Sequence, residues 1–333
     1  RYTCRATKQK TVPAKFTTPE ALQLQKLLRE MADNNVEFVI MEVSSHGLAQ
    51  SRVDTLTFDA AAFTNLSRDH LDYHRDMEDY FSSKLRLFTD HLRSGGTVVL
   101  PQIDNESESS TQIQSLHDTC RRAGNPIISW GQVESAAIRL LSFVPTLRST
   151  EVTVSTSSGQ HTVNSPLVGF YNVENLLTAY GLSLAIGVDE SLICKALSSA
   201  IGAPGRVERV SAGPEGPLVL VDYAHTPDAL EKVLGTVGAL PHRRLLAVFG
   251  CGGDRDKGKR SVMGEIGVRL SDVAIVTDDN PRTEDPDEII RQILVGTGCR
   301  PEQVKPVEWL EAGDQMEGGV VVIRDRKKAI QTA

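Results

Sequence analysis

Five polar clusters carry the residue types that phosphate, carboxylate and proton-transfer chemistry requires. They are Glu42-Val43-Ser44-Ser45-His46, the run Asn65 to His70, Asp222-Tyr223-Ala224-His225, the run Gly250 to Arg260, and Asp278 to Arg282. Each follows directly on a short apolar run of strand character, and open α/β sheets bind their ligands at the carboxyl ends of strands. Loops are polar anyway, so one such cluster has little weight. Five in register across two domains point to an active site lying between them. Glu42 and His70, at adjacent strand ends, can share a divalent metal through a carboxylate and an imidazole. The plainer reading has Glu42 capping the following turn and His70 hydrogen-bonded locally. Lys84, closing Tyr80-Phe81-Ser82-Ser83-Lys84, reads by itself as a surface lysine of a helix.

The glycine-rich run Phe249 to Arg260 (FGCGGDRDKGKR) invites comparison with a P-loop and fails it. A P-loop needs Gly-Lys-Ser/Thr, whereas Gly258-Lys259-Arg260 has no hydroxyl to hold magnesium, and no G-x-x-x-x-G-K-[ST] occurs elsewhere. What remains is a basic turn after a strand. It can bind phosphate or carboxylate, with Arg255 able to make a bidentate contact. In Asp279-Asn280-Pro281-Arg282, Pro281 pre-sets the turn and pushes Asn280 to an extended backbone. Arg282 and the two acids before it suit a zwitterion, which presents both a carboxylate and an ammonium.

The elements that must position these clusters follow from periodicity. Thr18-Pro19-Glu20 before Ala21-Leu22 reads as a helix start, with a hydroxyl N-cap and proline at the first helical position. Phe38 to Val43 reads as a buried parallel strand, as do Asp59 to Leu66 and Thr97 to Leu100, with a helix through Lys84 to Leu92 between the latter two. From Ile127 to Val168 short alternating segments split by Ser/Gly turns suggest an antiparallel flap. Helices follow over Asn172 to Ile186 and Glu190 to Ile201. Ala203-Pro204-Gly205 then breaks the chain into domains, 1–202 and 203–333.

Beyond that break strands at Leu218 to Val221, Leu245 to Phe249, Val273 to Thr277 and Val320 to Ile323 alternate with helices at Pro227 to Leu240, Lys259 to Leu270 and Asp287 to Leu294. Such alternation means a parallel, doubly wound sheet. The fold class is therefore α/β, a parallel-sheet domain with a small antiparallel flap followed by a Rossmann-like doubly wound domain. Asp104 to Thr111 is polar and reads as an exposed loop.

Composition bounds the function. The 333 residues, 40% hydrophobic and 24% charged, describe an ordinary globular chain with room for two cores. A net charge of −7 offers no basic face for nucleic acid. No run of 18 apolar residues exists to span a membrane, and the first twenty residues lack the layout of a signal peptide. Arg1 is not an initiator, so the N-terminus reads as a cut or processed one. Five scattered cysteines with no C-x-x-C pair suit a reducing cytoplasm, without a disulfide framework or a cysteine zinc site.

Taken together, the motifs resemble the Mur ligases, and most closely the MurE-type branch that adds the third residue of the peptidoglycan stem peptide. The matching runs are Thr17-Thr18-Pro19, MEVSSHGLAQSR (Met41 to Arg52), FTNLSRDHLDYH (Phe63 to His74), Tyr80 to Lys84, GFYNVENLL (Gly169 to Leu177), GRVE (Gly205 to Glu208), VDYAHTPDALEK (Val221 to Lys232), FGCGGDRDKGKR and TDDNPRTE (Thr277 to Glu284). They occur in family order from end to end. The resemblance implies that Thr17, Thr18, Ser44, Gln50 and Arg52 hold UDP-MurNAc-L-Ala-D-Glu. It makes Glu42 and His70 magnesium ligands and Lys84 a carbamylated lysine that bridges toward a second metal. Asn172, Arg206 and Asp222 match residues around ATP, and Arg255, Asp279, Asn280, Pro281 and Arg282 the amino-acid pocket. An Arg at the last position goes with meso-diaminopimelate, and lysine-adding relatives lack it. The implied reaction joins diaminopimelate to the D-Glu γ-carboxylate through an acyl phosphate, in a cytoplasmic monomer with small-molecule substrates and no nucleic-acid or membrane partner.

The sequence departs from the family where a uridine-binding N-terminal domain, a G-T-x-G-K-T loop and a final G-K-G-H-E run are expected, and in Phe16, where some members have Asn. These departures imply an incomplete chain with no ligase activity of its own. A silent scaffold would have lost Lys84, His70 or Glu42, and all three are intact. A folylpolyglutamate or cyanophycin synthetase fits less well, because the DNPR run and the VSSHGL block favour the wall ligase.

Overall fold

The computed structural model describes residues 2–6, 8–12, 16–66, 70–71, 73–102, 110–146, 148–211, 217–312 and 317–333. Ser67, Arg68 and Asp69 of the second cluster lie outside the described residues, as does most of the polar run at 104–111. The chain divides into two compact units. The first comprises residues 1–143, 152–163 and 174–198, and the second 144–151, 164–173 and 199–333.

The first unit begins with an antiparallel pair, β1 (Tyr2–Ala6) and β2 (Lys8–Val12). Helix α1 (Ala21–Asp33) and the short α2 (Ser45–Ala49) follow, then β3 (Phe58–Ala62), α3 (Met77–Thr89), β4 (Leu92–Pro101), α4 (Ser110–Arg122) and β5 (Ile127–Gly131). β3, β4 and β5 pair in parallel, with a register shift between Phe58 and Ala60. Phe63, Phe81, Phe88, Val98, Leu100, Ile113 and Leu116 form one core on this sheet. α3 starts cleanly because the Asp76 side chain accepts from the Asp79 N–H and Glu78 and Asp79 favour the helix N-terminus. β6 (Ile138–Pro145), β7 (Thr150–Thr156) and β8 (Gly159–Ser165) continue the same sheet in the order β3-β4-β5-β6-β7-β8. Their links are too short for parallel crossovers, so the last three form an antiparallel meander. The expected flap is therefore an extension of the parallel sheet, joined to it by the parallel pairing of β5 with β6. Helices α5 (Phe170–Ala185) and α6 (Glu190–Ser198) follow.

The second unit carries β9 (Glu208–Ser211), β10 (Leu218–Val221), α7 (Pro227–Gly238), β11 (Leu246–Phe249), α8 (Gly258–Leu270), β12 (Val273–Val276), α9 (Pro286–Thr297), α10 (Val307–Glu311), β13 (Gly319–Val322) and α11 (Arg326–Thr332). β11, β12 and β13 form a parallel three-stranded sheet. All four residues of β12 are buried, as a central parallel strand requires. One core sits beneath α7, α8 and α9, including Leu234, Phe249, Met263, Ile290 and Ile293. The other joins Leu310 and Ala329 to Ile275, Val321 and Ile323. Helices on both faces make the sheet doubly wound, as alternation implied. Two glycines allow α8 and α9 to touch backbone to backbone: a Cβ at Gly264 would overlap the Ile293 carbonyl, and one at Gly296 the Ser261 carbonyl.

Three expectations need correction. Helix α1 starts at Ala21 after Glu20, and Thr18 is not its cap; the Thr18 hydroxyl is engaged elsewhere in the chain. Phe38 to Val43 forms no strand, and Phe38, Val39 and Ile40 are exposed. Apolar residues in a row satisfy strand propensity, but a strand also needs a neighbour to complete its ladder, and among the described residues none pairs here. β10 pairs antiparallel with β9, outside the parallel sheet. Its four-residue apolar run is the same in either partnership, so periodicity could not choose between them.

Candidate active site

In the first unit Thr18 is the point from which the site grows. It is fully buried, donating its hydroxyl to the Glu42 carbonyl at 3.1 Å and accepting the Ser44 N–H at 2.8 Å. Both ends of the Glu42–Ser44 turn are thus fixed by one side chain. Ser44 in turn caps α2, its Oγ accepting from the Gly47 N–H at 3.1 Å. Gly47 is required there, because a Cβ would stand 2.8 Å from Thr18 Cγ2. Arg52 donates to the Thr18 carbonyl at 2.8 Å and to Gln50 Oε1, pairs with Glu20 at 3.1 Å and lies over the Phe16 ring. Thr17 is exposed.

From Gln50 the network continues through rings. Gln50 Nε2 donates to the Tyr73 hydroxyl at 3.3 Å, and Tyr73 stacks on His46 at 4.2 Å. His46 meets His70 edge-on at 4.9 Å, and His70 meets Tyr80 at 5.8 Å. Lys84 Nζ sits 5.0 Å above the same Tyr80 ring. Lys84 faces Tyr80 because the two lie four residues apart on α3. His74 binds Ser45 Oγ at 3.0 Å and lies 3.6 Å from Asp79, tying the start of α2 to the first turn of α3. Six expected residues, Thr18, Ser44, Gln50, Arg52, His70 and Lys84, therefore belong to one connected array. Glu42 enters it through its carbonyl, with its carboxylate exposed. His70 has φ 58°, a left-handed backbone uncommon outside glycine that His adopts more readily than most residues.

The second unit gathers Tyr171, Asn172, Arg206 and Asp222. Asn172 is buried and donates to the Val168 carbonyl at 2.8 Å. Asp222 accepts the Val207 N–H at 2.8 Å and the Ala224 N–H at 2.7 Å, which fixes its carboxylate across the Gly205–Glu208 turn. That turn needs left-handed backbone at Gly205 (φ 68°) and at Val207 (φ 45°). Arg206 lies over the Tyr223 ring at 5.4 Å. The Tyr171 hydroxyl is buried without a hydrogen-bond partner among the described residues. Burial first, and the Asp222 charge second, push its pKa above the ordinary tyrosine value.

The loops after β11 and β12 form the third group. A Cβ at Gly250 would overlap the Thr277 carbonyl and one at Gly253 the Pro281 carbonyl, so the two backbones run in direct contact. Gly253 N–H donates to the Asn280 carbonyl at 2.8 Å, and Arg282 Nη1 donates to the Gly253 carbonyl. Asp254 accepts from Thr283 at 2.8 Å, and the Asp254 N–H donates to Glu284 at 2.6 Å. Arg260, fully buried, donates to both Glu284 oxygens (3.0 and 2.8 Å), to Gln292 (2.8 Å) and to the Gly252 carbonyl (3.2 Å). The Arg260 guanidinium holds the Glu284 carboxyl down to about 2, and Glu284 raises the Arg260 pKa in turn. Arg255 is exposed and makes no hydrogen bond or ion pair among the described residues. Arg326 reaches the Asp278 carbonyl at 3.4 Å and Asp279 at 3.9 Å. Cys251 is buried against Met263, and burial pushes its thiol up to about 11, so it packs and does not react.

Tyr73, His46, Tyr80, Arg260 and Glu284 join these groups, although in the sequence they stand only as members of clusters or matching runs, with no role of their own. For Tyr80 the signal was present in its spacing to Lys84. For Arg260 it was not, because its partners lie on other elements.

Both halves of the chain are similar to known proteins. The Mur ligase middle domain matches residues 2–183, and the Mur ligase glutamate ligase domain matches residues 205–333. A UDP-N-acetylmuramoyl-L-alanyl-D-glutamate–2,6-diaminopimelate ligase of Geobacter sulfurreducens is 45% identical over 86% of this chain and 55% of its own length. The protein of that name in Geobacter metallireducens is 42% identical over 97% of this chain and 62% of its own. The chain therefore spans little more than half the length of the curated relatives it matches. A solved structure of a ligase of the same name aligns with TM-score 0.66 and 33% identity, covering 96% of this chain and 66% of that one. Motifs, fold and relatives agree, and the chain belongs to the Mur ligase family.

Proposed function

We propose that this chain is the catalytic and amino-acid-binding part of an ATP-dependent ligase that joins meso-diaminopimelate to the D-Glu γ-carboxylate of UDP-MurNAc-L-Ala-D-Glu, in peptidoglycan biosynthesis. The observation that carries this reading is the array that links Lys84 and His70, on one tyrosine ring, to Arg52 and Thr18. The family membership and the names of the relatives agree with it. Residues 1–202 would form the ATPase domain and 203–333 the amino-acid domain, acting as a cytoplasmic monomer on small molecules. Among the described residues no helix is long and apolar enough to cross a membrane.

Each group has a task. Thr17, Thr18, Ser44, Gln50 and Arg52 orient the nucleotide-sugar dipeptide, Arg52 being pre-set by its bond to Thr18. Asn172, Arg206 and Asp222 hold ATP. Its γ-phosphoryl passes to the D-Glu carboxylate, giving an acyl phosphate and releasing ADP. The diaminopimelate amine then attacks the acyl carbon and expels phosphate through a tetrahedral intermediate. Arg255, Asp279, Asn280, Pro281 and Arg282 receive the diamino acid, with Arg282 offered to its distal carboxylate.

Magnesium would be held by Glu42, His70 and carbamylated Lys84. Among the described residues no group of three or more His, Cys, Asp or Glu side chains is arranged for a metal. A carboxylate and a carbamate would offer the hard oxygen donors that magnesium takes, with waters and substrate phosphates completing its shell. Bound there, it would neutralise charge on the phosphoryl oxygens.

The experiment is phosphate release with ATP, Mg²⁺, the UDP-MurNAc-dipeptide and either meso-diaminopimelate or lysine. The full-length gene product should turn over with diaminopimelate, and these 333 residues alone, without a G-x-x-x-x-G-K-[ST] loop, should not. Release with lysine only would contradict the role given to Arg282.

A further inference from the structure

The two loops that carry Arg255 and Arg282 are held in register by a group outside them. Arg260 is fully buried on the first turn of α8, where a guanidinium is costly unless it is paired and hydrogen-bonded, and its two Nη groups carry all its bonds among the described residues. Its fork spans three elements: the Gly252 carbonyl on the loop after β11, Glu284 on the loop after β12, and Gln292 on α9. Glu284 extends the bridge, accepting the Asp254 N–H at 2.6 Å and pairing with Lys257 at 3.3 Å. The α8–α9 contact at Gly264 and Gly296 brings Gln292 within reach. Arg282 is bonded to the Gly253 carbonyl, one residue from the carbonyl that Arg260 holds. A shift of the Arg260–Glu284 pair therefore moves Gly252, Asp254 and, through Gly253, the Arg282 side chain.

We infer that Arg260 is a positioning residue that sets the spacing of Arg255 and Arg282 and thereby the discrimination between diamino acids with and without a distal carboxylate. The inference rests on the reading of these loops as the diamino-acid pocket. Arg260 touches no substrate. It acts by fixing the two cations that do, and a lysine in its place keeps the charge but lacks the fork that bridges three elements.

The test is a phosphate-release assay of the full-length gene product in wild-type, Arg260→Lys, Glu284→Gln, Arg282→Ala and Arg260→Lys/Arg282→Ala forms. Each is assayed with meso-diaminopimelate and with L-lysine, and KM is measured for ATP as well as for the amino acid. The wild type should prefer diaminopimelate in kcat/KM by about a hundredfold or more, as sites built to hydrogen-bond a substrate group do. Arg260→Lys and Glu284→Gln should each cut that ratio by about tenfold, through KM for the diamino acid, with KM for ATP unchanged within about twofold. Added to Arg282→Ala, Arg260→Lys should lower the ratio no further, because both act through one group. A ratio within about twofold of wild type in both single variants, or a parallel rise in both KM values, overturns the inference and leaves the pair a fold element. Should Arg260→Lys not fold, Glu284→Gln decides alone. A wild type without preference for diaminopimelate refutes the functional reading, and this inference with it.

Discussion

The site in the first unit and the loop pair in the second are built by different means. Around Thr18, Arg52, His70 and Lys84, side chains assemble the site. A hydroxyl fixes a turn, rings stack from Tyr73 to Tyr80, and the tight glycine, Gly47, presses on a threonine methyl. Around Arg255 and Arg282, backbones do it: Gly250 and Gly253 lie against carbonyls, and one buried ion pair seals the contact. Side-chain assemblies can adjust to a bound phosphate or metal by changing rotamers. Backbone contacts cannot adjust, which suits a pocket that discriminates by a fixed distance between charges.

The largest expected effect tests the first region. Lys84→Met leaves the α3 helix intact but removes the amine that carries the proposed carbamate, so phosphate release by the full-length gene product should fall on the order of a hundredfold or more. Retained turnover would detach Lys84 from the chemistry. Next comes the backbone region: Gly253→Ala should destabilise the second unit by about 2–3 kcal/mol in urea unfolding, because the Pro281 carbonyl cannot be trimmed by mutation. Gly47→Ala should cost less, and Thr18→Ser should recover part of that loss by removing the methyl it strikes; equal and unrecoverable losses at both glycines would erase the contrast. Thr18→Val removes a donor and an acceptor from a buried turn and should cost about 1–3 kcal/mol in the same assay.

The smallest effect is one of pH. Glu284 is depressed from 4.5 to about 2, first by its bond to Arg260. A depressed carboxyl contributes stability that is present above the unfolded value and lost as pH falls through the folded one. Between pH 4.5 and about 2, wild-type stability should therefore fall more steeply than that of Glu284→Gln. Parallel curves would show that the pair is broken in solution.

Much of this was legible in the sequence, for reasons that also mark where it stopped. The α/β class and most elements followed from runs such as the VAIV of β12 (Val273–Val276), because a buried parallel strand is apolar throughout. In the structure Asp285 and Thr226 cap α9 and α7 by the usual rule, each side chain accepting a first-turn N–H. Thr18 looked like another such cap, yet it bonds Glu42 and Ser44, more than twenty positions along the chain, which local spacing cannot reveal. Phe38 to Val43 and β10 failed in the same way, since pairing is a property of two segments and each run shows one. Candidate site residues were readable as polar clusters after strands. That Tyr73 and His46 connect them, and that Arg260 is buried, depends on where other elements fold.

The proposal that this chain serves a ligase specific for a diamino acid with a distal carboxylate turns on Arg282. Its most direct test is the ratio of kcat/KM for meso-diaminopimelate over L-lysine, measured by phosphate release on the full-length gene product and on its Arg282→Ala variant. Strong preference for diaminopimelate in the wild type should collapse in the variant. Equal use of both amino acids by the wild type, or a preference that survives the loss of Arg282, would contradict it.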